Sequence, residues 1–145
     1  IYNMIIPQLS VFLENKSGRL TEVLEVLGKG SIRIIALSVA DTSEFGILRL
    51  IVPDPDKAKA LLKEQLFTVN ISEVISVKTP NEAKHYAGLL RILSDLDISV
   101  EYTYAFAHGS DAVIVLRCSN NDEAVKALRE SKIELLSSKE LYALK

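Results

Sequence analysis

The stretch Glu14-Asn15-Lys16-Ser17-Gly18-Arg19-Leu20 is the best candidate for a binding site in this sequence. It falls where an alternating strand pattern gives way to a helical one, so a helix starts here with several backbone N–H groups unpaired. Gly18 has no Cβ, which lets a ligand approach the backbone closely. The helix dipole favours an anion such as a carboxylate at that end. Asn15 offers a donor and an acceptor, able to meet an amino acid's ammonium and carboxylate together. The same residues also have a structural reading, in which Ser17 or Asn15 caps the helix and Gly18 eases the turn.

Nothing else in the chain has the spacing of a reactive centre. His85 and His108 fall on different elements, without Cys, Asp or Glu at metal-ligand spacing, and are expected to be solvated or to cap helices. There is no Gly-rich phosphate loop, nucleophile elbow or HExxH helix. Glu22, Glu25 and Glu64 lie on polar helix faces. Cys118 is the lone cysteine and sits in an apolar run, which predicts a buried structural thiol. The sequence therefore points to no catalytic residue, no metal and no cofactor.

Composition narrows the partners. A 145-residue chain with 48% hydrophobic and 25% charged residues reads as a globular protein with a real core. Its net charge of −2 gives no pull toward nucleic acid or an anionic membrane. The runs ILRLIV and AVIVLRC, which read as third strands, carry no aromatic on which a base could stack. No apolar stretch approaches the ~18 residues of a membrane helix, and no secretory leader is visible. A soluble, cytoplasmic protein is expected.

The elements that must position the turn come in two copies. Shifting the chain by 66 positions lays Ser10 and Val11 on Ser76 and Val77, and Asn15 on Asn81. Leu24 and Leu27 fall on Leu90 and Leu93, Ile32 on Ile98, and Leu50 on Leu116. Asp56, Ala58, Leu62 and Glu64 then fall on Asp122, Ala124, Leu128 and Glu130. One gap-free register through two helices and three strands indicates duplication.

Each copy reads strand–helix–strand–strand–helix–strand. Leu9, Val11 and Leu13 alternate as in a strand. Leu20, Val23, Leu24 and Leu27 follow helical spacing, and Gly28-Lys29-Gly30 is expected to stop that helix. Ile32 to Val39 and Ile47 to Val52 read as strands. Asp54 and Pro55 then open a helix whose inner face is Ala58, Leu61, Leu62 and Leu66. A short strand at Phe67 to Ile71 closes the first copy before Val74 to Val77 opens the next. In the second copy, Tyr86, Leu89, Leu90 and Leu93 mark the first helix, and Asn120 with Glu123 offers a capping box for the second.

This order predicts an α+β fold of two ferredoxin-like βαββαβ units, residues 5–72 and 73–145, each an antiparallel sheet with helices on one face. Positions 48, 50, 52 and 114, 116, 118 should face the helices. The other face, with Ile47, Arg49, Ile51, Val113, Val115 and Arg117, is too apolar to be wholly solvated. It is expected to pack against another sheet, most simply that of a second chain, giving a homodimer.

The runs LSVFLENKSGRLTEVLEVL and SIRIIALSVADTSEFGILRLIV resemble an ACT domain, the βαββαβ ligand-sensing module. Its turn Asn-x-(Pro)-Gly-x-Leu is matched by Asn15, Gly18 and Leu20, with Ser17 where proline is common. The resemblance covers both copies, as in stand-alone tandem ACT proteins. It implies units pairing side by side through their second strands, with an amino acid bound at the seam. On this chain the first site would join Asn15, Lys16, Ser17, Gly18, Arg19 and Leu20 to Ile98, Ser99 and Val100. A second, weaker site would join Asn81, Lys84 and Tyr86 to Ile32, Arg33 and Ile34. There the glycine is replaced by Lys84, which should crowd the pocket, and the leucine by Tyr86. Arg33, where the family often has a small polar residue, could reach a carboxylate or be solvated. Tyr102 and Tyr104 share one face and read as packing residues. Thr42, Ser43 and Glu44 read as a turn.

The resemblance implies a non-catalytic amino-acid sensor that regulates amino-acid metabolism, acting in trans on an enzyme partner. Two alternatives stay open. One is a regulatory small subunit of a biosynthetic enzyme such as acetolactate synthase. The other is a structural dimer without ligand binding.

Overall fold

The computed structural model describes residues 4–14, 18–41 and 45–144. The chain divides into two compact units, and each is α+β. The N-terminal unit, Pro7–Ser72, holds β1 (Ile6–Glu14), α1 (Arg19–Lys29), β2 (Ala36–Asp41), β3 (Phe45–Ile51), α2 (Pro55–Glu64) and the start of β4 (Thr68–Pro80). The C-terminal unit begins at Glu73 and has the rest of β4 as its first strand. It continues with α3 (Ala83–Asp95), β5 (Val100–His108), β6 (Asp111–Cys118), α4 (Asn121–Glu130), β7 (Glu134–Leu136) and α5 (Ser138–Tyr142). Met4 and Ile5 pack against its core. The two strands expected at Phe67–Ile71 and Val74–Val77 are one strand, Thr68–Pro80, which runs on through the mostly polar stretch Asn70–Glu73 because no glycine or proline breaks it there.

In the N-terminal unit β3 lies between β2 and β1, with antiparallel registers such as Leu9 to Leu50 and Leu37 to Leu50. In the C-terminal unit β6 pairs with β4 and β5, and β4 also pairs with β7. The second strands β2 and β5 are therefore edge strands, each with one neighbour. Two equivalent cores form on the helix faces. Leu48, Leu50 and Val52 pack with Val23, Leu27, Ala58 and Leu62. Ile114, Leu116 and Cys118 pack with Leu89, Leu93, Ala124 and Leu128. Each of these large side chains contributes roughly 1.5–3 kcal/mol by leaving water.

Helix ends obey the same register. Asp54 Oδ1 accepts from Lys57 N–H at 3.2 Å, and Asn120 Oδ1 from Glu123 N–H at 3.0 Å. All four long helices close on a left-handed residue that is not glycine: Ser31, Leu66, Asp97 and Lys132. The next residue in each case donates its N–H back five positions, from Ile32, Phe67, Ile98 and Ile133 to Leu27, Leu62, Leu93 and Leu128. This is the Schellman closure, with the apolar residue after the turn dropping onto the core. Gly30 itself has an ordinary φ of −86°, so the glycines expected to stop α1 do not supply the left-handed turn.

Several expected inner positions are corrected. Leu66 is 89% exposed because it lies beyond α2 in the closing turn. Leu20 and Leu90 are more than one-third exposed, since each lies at the margin of its helix's apolar stripe. On the face opposite the helices, Ile51, Val113 and Val115 are fully buried within this chain, while Ile47, Arg49 and Arg117 are partly exposed. Tyr102, Tyr104 and Phe106 alternate on that face of β5, half-buried, opposite Arg117, Val115 and Val113.

Candidate functional site

The expected binding turn joins β1 to α1. Asn15, Lys16 and Ser17 lie outside the described residues, as do Thr42, Ser43 and Glu44. Gly18 is the N-cap of α1 with φ +89°, and its carbonyl accepts from Glu22 N–H at 2.9 Å. Among the described residues, its chain neighbours and its own helix backbone apart, no atom lies within 4 Å of the position its Cβ would take. The first turn of α1 thus opens on a residue without a side chain, in a conformation that glycine adopts without strain. Leu20, in the same first turn, is partly exposed.

Arg19 is held from two sides. Its guanidinium carbon sits 4.4 Å from the centre of the Phe67 ring, a cation–π distance. Its Nη1 donates to Glu22 Oε2 at 2.7 Å. Nε is buried with no partner among the described residues. Beside this group is a cavity of about 320 Å3, lined by Phe12, Glu14, Arg19, Phe45, Leu66 and Phe67 among others. The sequence reading missed this cavity. Its lining comes from the end of β1, the start of β3 and the α2–β4 turn, which only the fold brings together.

Ile98, Ser99 and Val100 line a separate cavity of about 280 Å3 in the C-terminal unit, with Leu90, Ser94 and Asp97. Ile98 belongs to the core. The backbone of Ser99 is already engaged, since its N–H donates to Ser119 Oγ at 3.0 Å and its carbonyl accepts from Ser119 N–H at 2.8 Å.

The expected second site is built differently from its counterpart. Its helix starts at Ala83 after Glu82, so Lys84 is an exposed residue of the first helical turn. Tyr86 Oη donates to Asn81 Oδ1 at 3.2 Å, bringing two of the expected residues together. Ile32 and Ile34 pack on the N-terminal core, while Arg33 is exposed.

The remaining titratable groups have structural surroundings. His85 Nε2 lies 3.6 Å from Glu82 Oε1, an i,i+3 neighbour on α3 that the sequence reading overlooked. Among the described residues no three His, Cys, Asp or Glu side chains come together as a metal site. Burial, and secondarily the Glu101 carboxylate, push the Cys118 thiol up to about 11. Among the described residues no helix is long and apolar enough to cross a membrane.

Two fused βαββαβ units, each with its helices on one face and one of them with a glycine-opened first turn, define the class of architecture. The chain belongs to the family described as ACT domain pair, which matches residues 4–145. Its structure is similar to that of protein BT0572 from Bacteroides thetaiotaomicron, with a TM-score of 0.92 and 48% identity over 97% of this chain and 98% of that one. It shares its fold with the ligand-free regulatory subunit of aspartate kinase from Thermus thermophilus, at TM-score 0.64 and 11% identity over 86% and 91% of the two chains. The corresponding subunit from Thermus flavus gives TM-score 0.61 at 12% identity, over 87% and 92%. No curated protein matches the chain.

Proposed function

We propose that this chain is a non-catalytic sensor that binds an amino acid at the β1–α1 turn of its N-terminal unit and regulates amino-acid metabolism through a partner. The observation that carries the reading is Gly18, left-handed and, among the described residues beyond its chain neighbours and its own helix backbone, with no atom within 4 Å of where a Cβ would stand. A carboxylate placed there meets the positive end of α1. The equivalent stretch of the other unit, with Lys84 inside a helix, lacks this opening, which supports one such turn per chain.

Passing occupancy to a partner needs only that the ligand favour one packing over another by about 1–3 kcal/mol. Leu37 and Val39, each nearly half exposed on the edge strand β2, support self-association along that edge. An enzyme bound in trans is the second kind of partner this reading admits.

Isothermal titration of the full chain with each of the twenty amino acids tests the proposal. Binding at millimolar concentration or tighter is expected for at least one, and weakened binding in Gly18→Val with the far-UV spectrum retained. Silence from all twenty at millimolar ligand sinks it.

A further inference from the structure

Three of the large apolar side chains that the N-terminal unit exposes gather at one place. Phe12 is 38% exposed, Phe45 43% and Leu66 89%, and all three line the cavity beside Arg19. Exposed apolar residues scattered singly need no explanation, but a cluster around a concavity marks a binding site.

The duplication supplies an internal control. At the register of 66 positions, Phe12 and Phe45 correspond to Lys78 and Asp111, which form an ion pair with Nζ and Oδ2 3.9 Å apart. Leu66 corresponds to Lys132, in the same left-handed conformation, and Phe67 to Ile133. The strand pairings are also the same, Phe12 to Ile47 in one unit and Lys78 to Val113 in the other. One architecture is therefore built twice, once with aromatics at this corner and once with charges. The fold does not require the aromatics, so their presence calls for another cause.

We infer that this cavity receives the side chain of an aromatic amino acid, bound once per chain. The inference rests on the sensor reading above and narrows its ligand. A volume of about 320 Å3 is at the small end of ligand cavities and suits a single amino acid. Phe12 and Phe45 offer ring faces and edges to an aromatic side chain, with the buried Phe67 behind Arg19 in the cavity wall. Arg19 and Glu14 put one positive and one negative group on the same wall, complementary to a zwitterion. Arg19 is preorganised by Phe67 and Glu22, and it lines the cavity where a ligand carboxylate would lie.

The test is titration of the full chain with phenylalanine, tyrosine, tryptophan, alanine and lysine, repeated on two variants. Phe12→Lys with Phe45→Asp installs the other unit's own pair, and Leu66→Lys changes a side chain with almost no packing to lose. Circular dichroism confirms folding of both. Expected are at least tenfold tighter binding of an aromatic amino acid than of alanine or lysine, a loss of tenfold or more in the double variant, and a several-fold loss in Leu66→Lys. If another amino acid binds and both variants keep wild-type affinity, the sensor reading stands and this one is overturned. If none of the twenty amino acids binds the wild type, both fail. A wild-type dimer in sedimentation equilibrium that Leu66→Lys turns into monomers assigns the patch to a second copy of the chain, and overturns the ligand assignment.

Discussion

Phe12 and Phe45 hold their rings 6.5 Å apart at an interplanar angle of 56°, on a corner where the other unit places a lysine and an aspartate. The relationship is energetically modest. A tilted aromatic pair contributes ~0.5–1.5 kcal/mol beyond the area it buries, and an exposed ion pair ~0–1 kcal/mol. Both rings are already about two-fifths exposed, so part of their surface gains nothing from folding.

The Phe12→Lys, Phe45→Asp chain is therefore expected to lose about 2 kcal/mol, less than the ~3–5 kcal/mol of a fully buried Phe→Ala change. Urea unfolding measures this as a lowered midpoint with an unchanged slope. A loss above about 4 kcal/mol would mean that the rings support the core, and would remove the argument that this corner is free to vary.

Much of the architecture was legible because the duplication repeats the pattern. Leu48, Leu50 and Val52 and their counterparts Ile114, Leu116 and Cys118 alternate in both copies and lie on the helix faces as the period demands. Ends of elements were harder. Ser31, Leu66, Asp97 and Lys132 escaped because a left-handed closure is read from glycine, and here none is present. The usable signal was the spacing Leu27–Ile32, Leu62–Phe67, Leu93–Ile98 and Leu128–Ile133, an apolar pair five apart at each helix end. Burial of Ile51, Val113 and Val115 within a single chain was not legible, since alternation shows that a face is apolar without showing what covers it. Of the candidate site, Gly18 could be found from the turn pattern. The Phe12, Phe45 and Phe67 cavity depends on β1, β3 and the α2–β4 turn converging, which no local spacing encodes.

Gly18 carries a prediction of its own. A left-handed conformation costs an L-residue ~1–2 kcal/mol, and no neighbour stands in the way of an added methyl. Gly18→Ala should lose about that amount from backbone strain alone, and Gly18→Asn less, since asparagine tolerates this region. Urea midpoints of the two variants provide the measurement. An alanine variant as stable as the wild type would show that φ +89° is not held in solution.

The Cys118 thiol offers a chemical readout of the C-terminal core. It is buried beside Leu116 and Leu128, and its raised pKa of about 11 leaves few thiolates at neutral pH. Labelling by a disulfide reagent at pH 8 should be at least a hundredfold slower than in urea. Because the folded value lies above the unfolded one of 9.0, the stability linked to this group is present below pH 9 and lost as pH rises toward 11. Cys118→Ala should remove that part of the alkaline slope. Rapid labelling of the native chain would contradict the burial.

The last helix tests the same linkage with the opposite sign. Ser137 and Glu140 form a reciprocal capping box: Glu140 N–H donates to Ser137 Oγ at 3.1 Å, and Ser137 N–H to Glu140 Oε1 at 3.0 Å. The Ser137 backbone N–H, and then its hydroxyl, hold the Glu140 carboxyl below its ordinary value, against a smaller opposing effect of burial. A depressed folded pKa stabilises above the unfolded value of 4.5, and that stability is lost as pH falls through the folded pKa. Docking of α5 through the fully buried Leu141 should accordingly weaken in acid. Hydrogen exchange at the Leu141 amide, which donates to Ser137 O at 2.9 Å, reports the opening directly. Ser137→Ala should speed that exchange by the equivalent of about 1 kcal/mol at neutral pH, the ordinary cost of a lost cap. Glu140→Gln keeps a hydrogen-bonding side chain without the charge, and should abolish the acid dependence while leaving α5 docked. If the protection factor at Leu141, the intrinsic rate divided by the observed rate at each pH, is the same at pH 3 and pH 7 in the wild type, the capping box does not hold this helix in place.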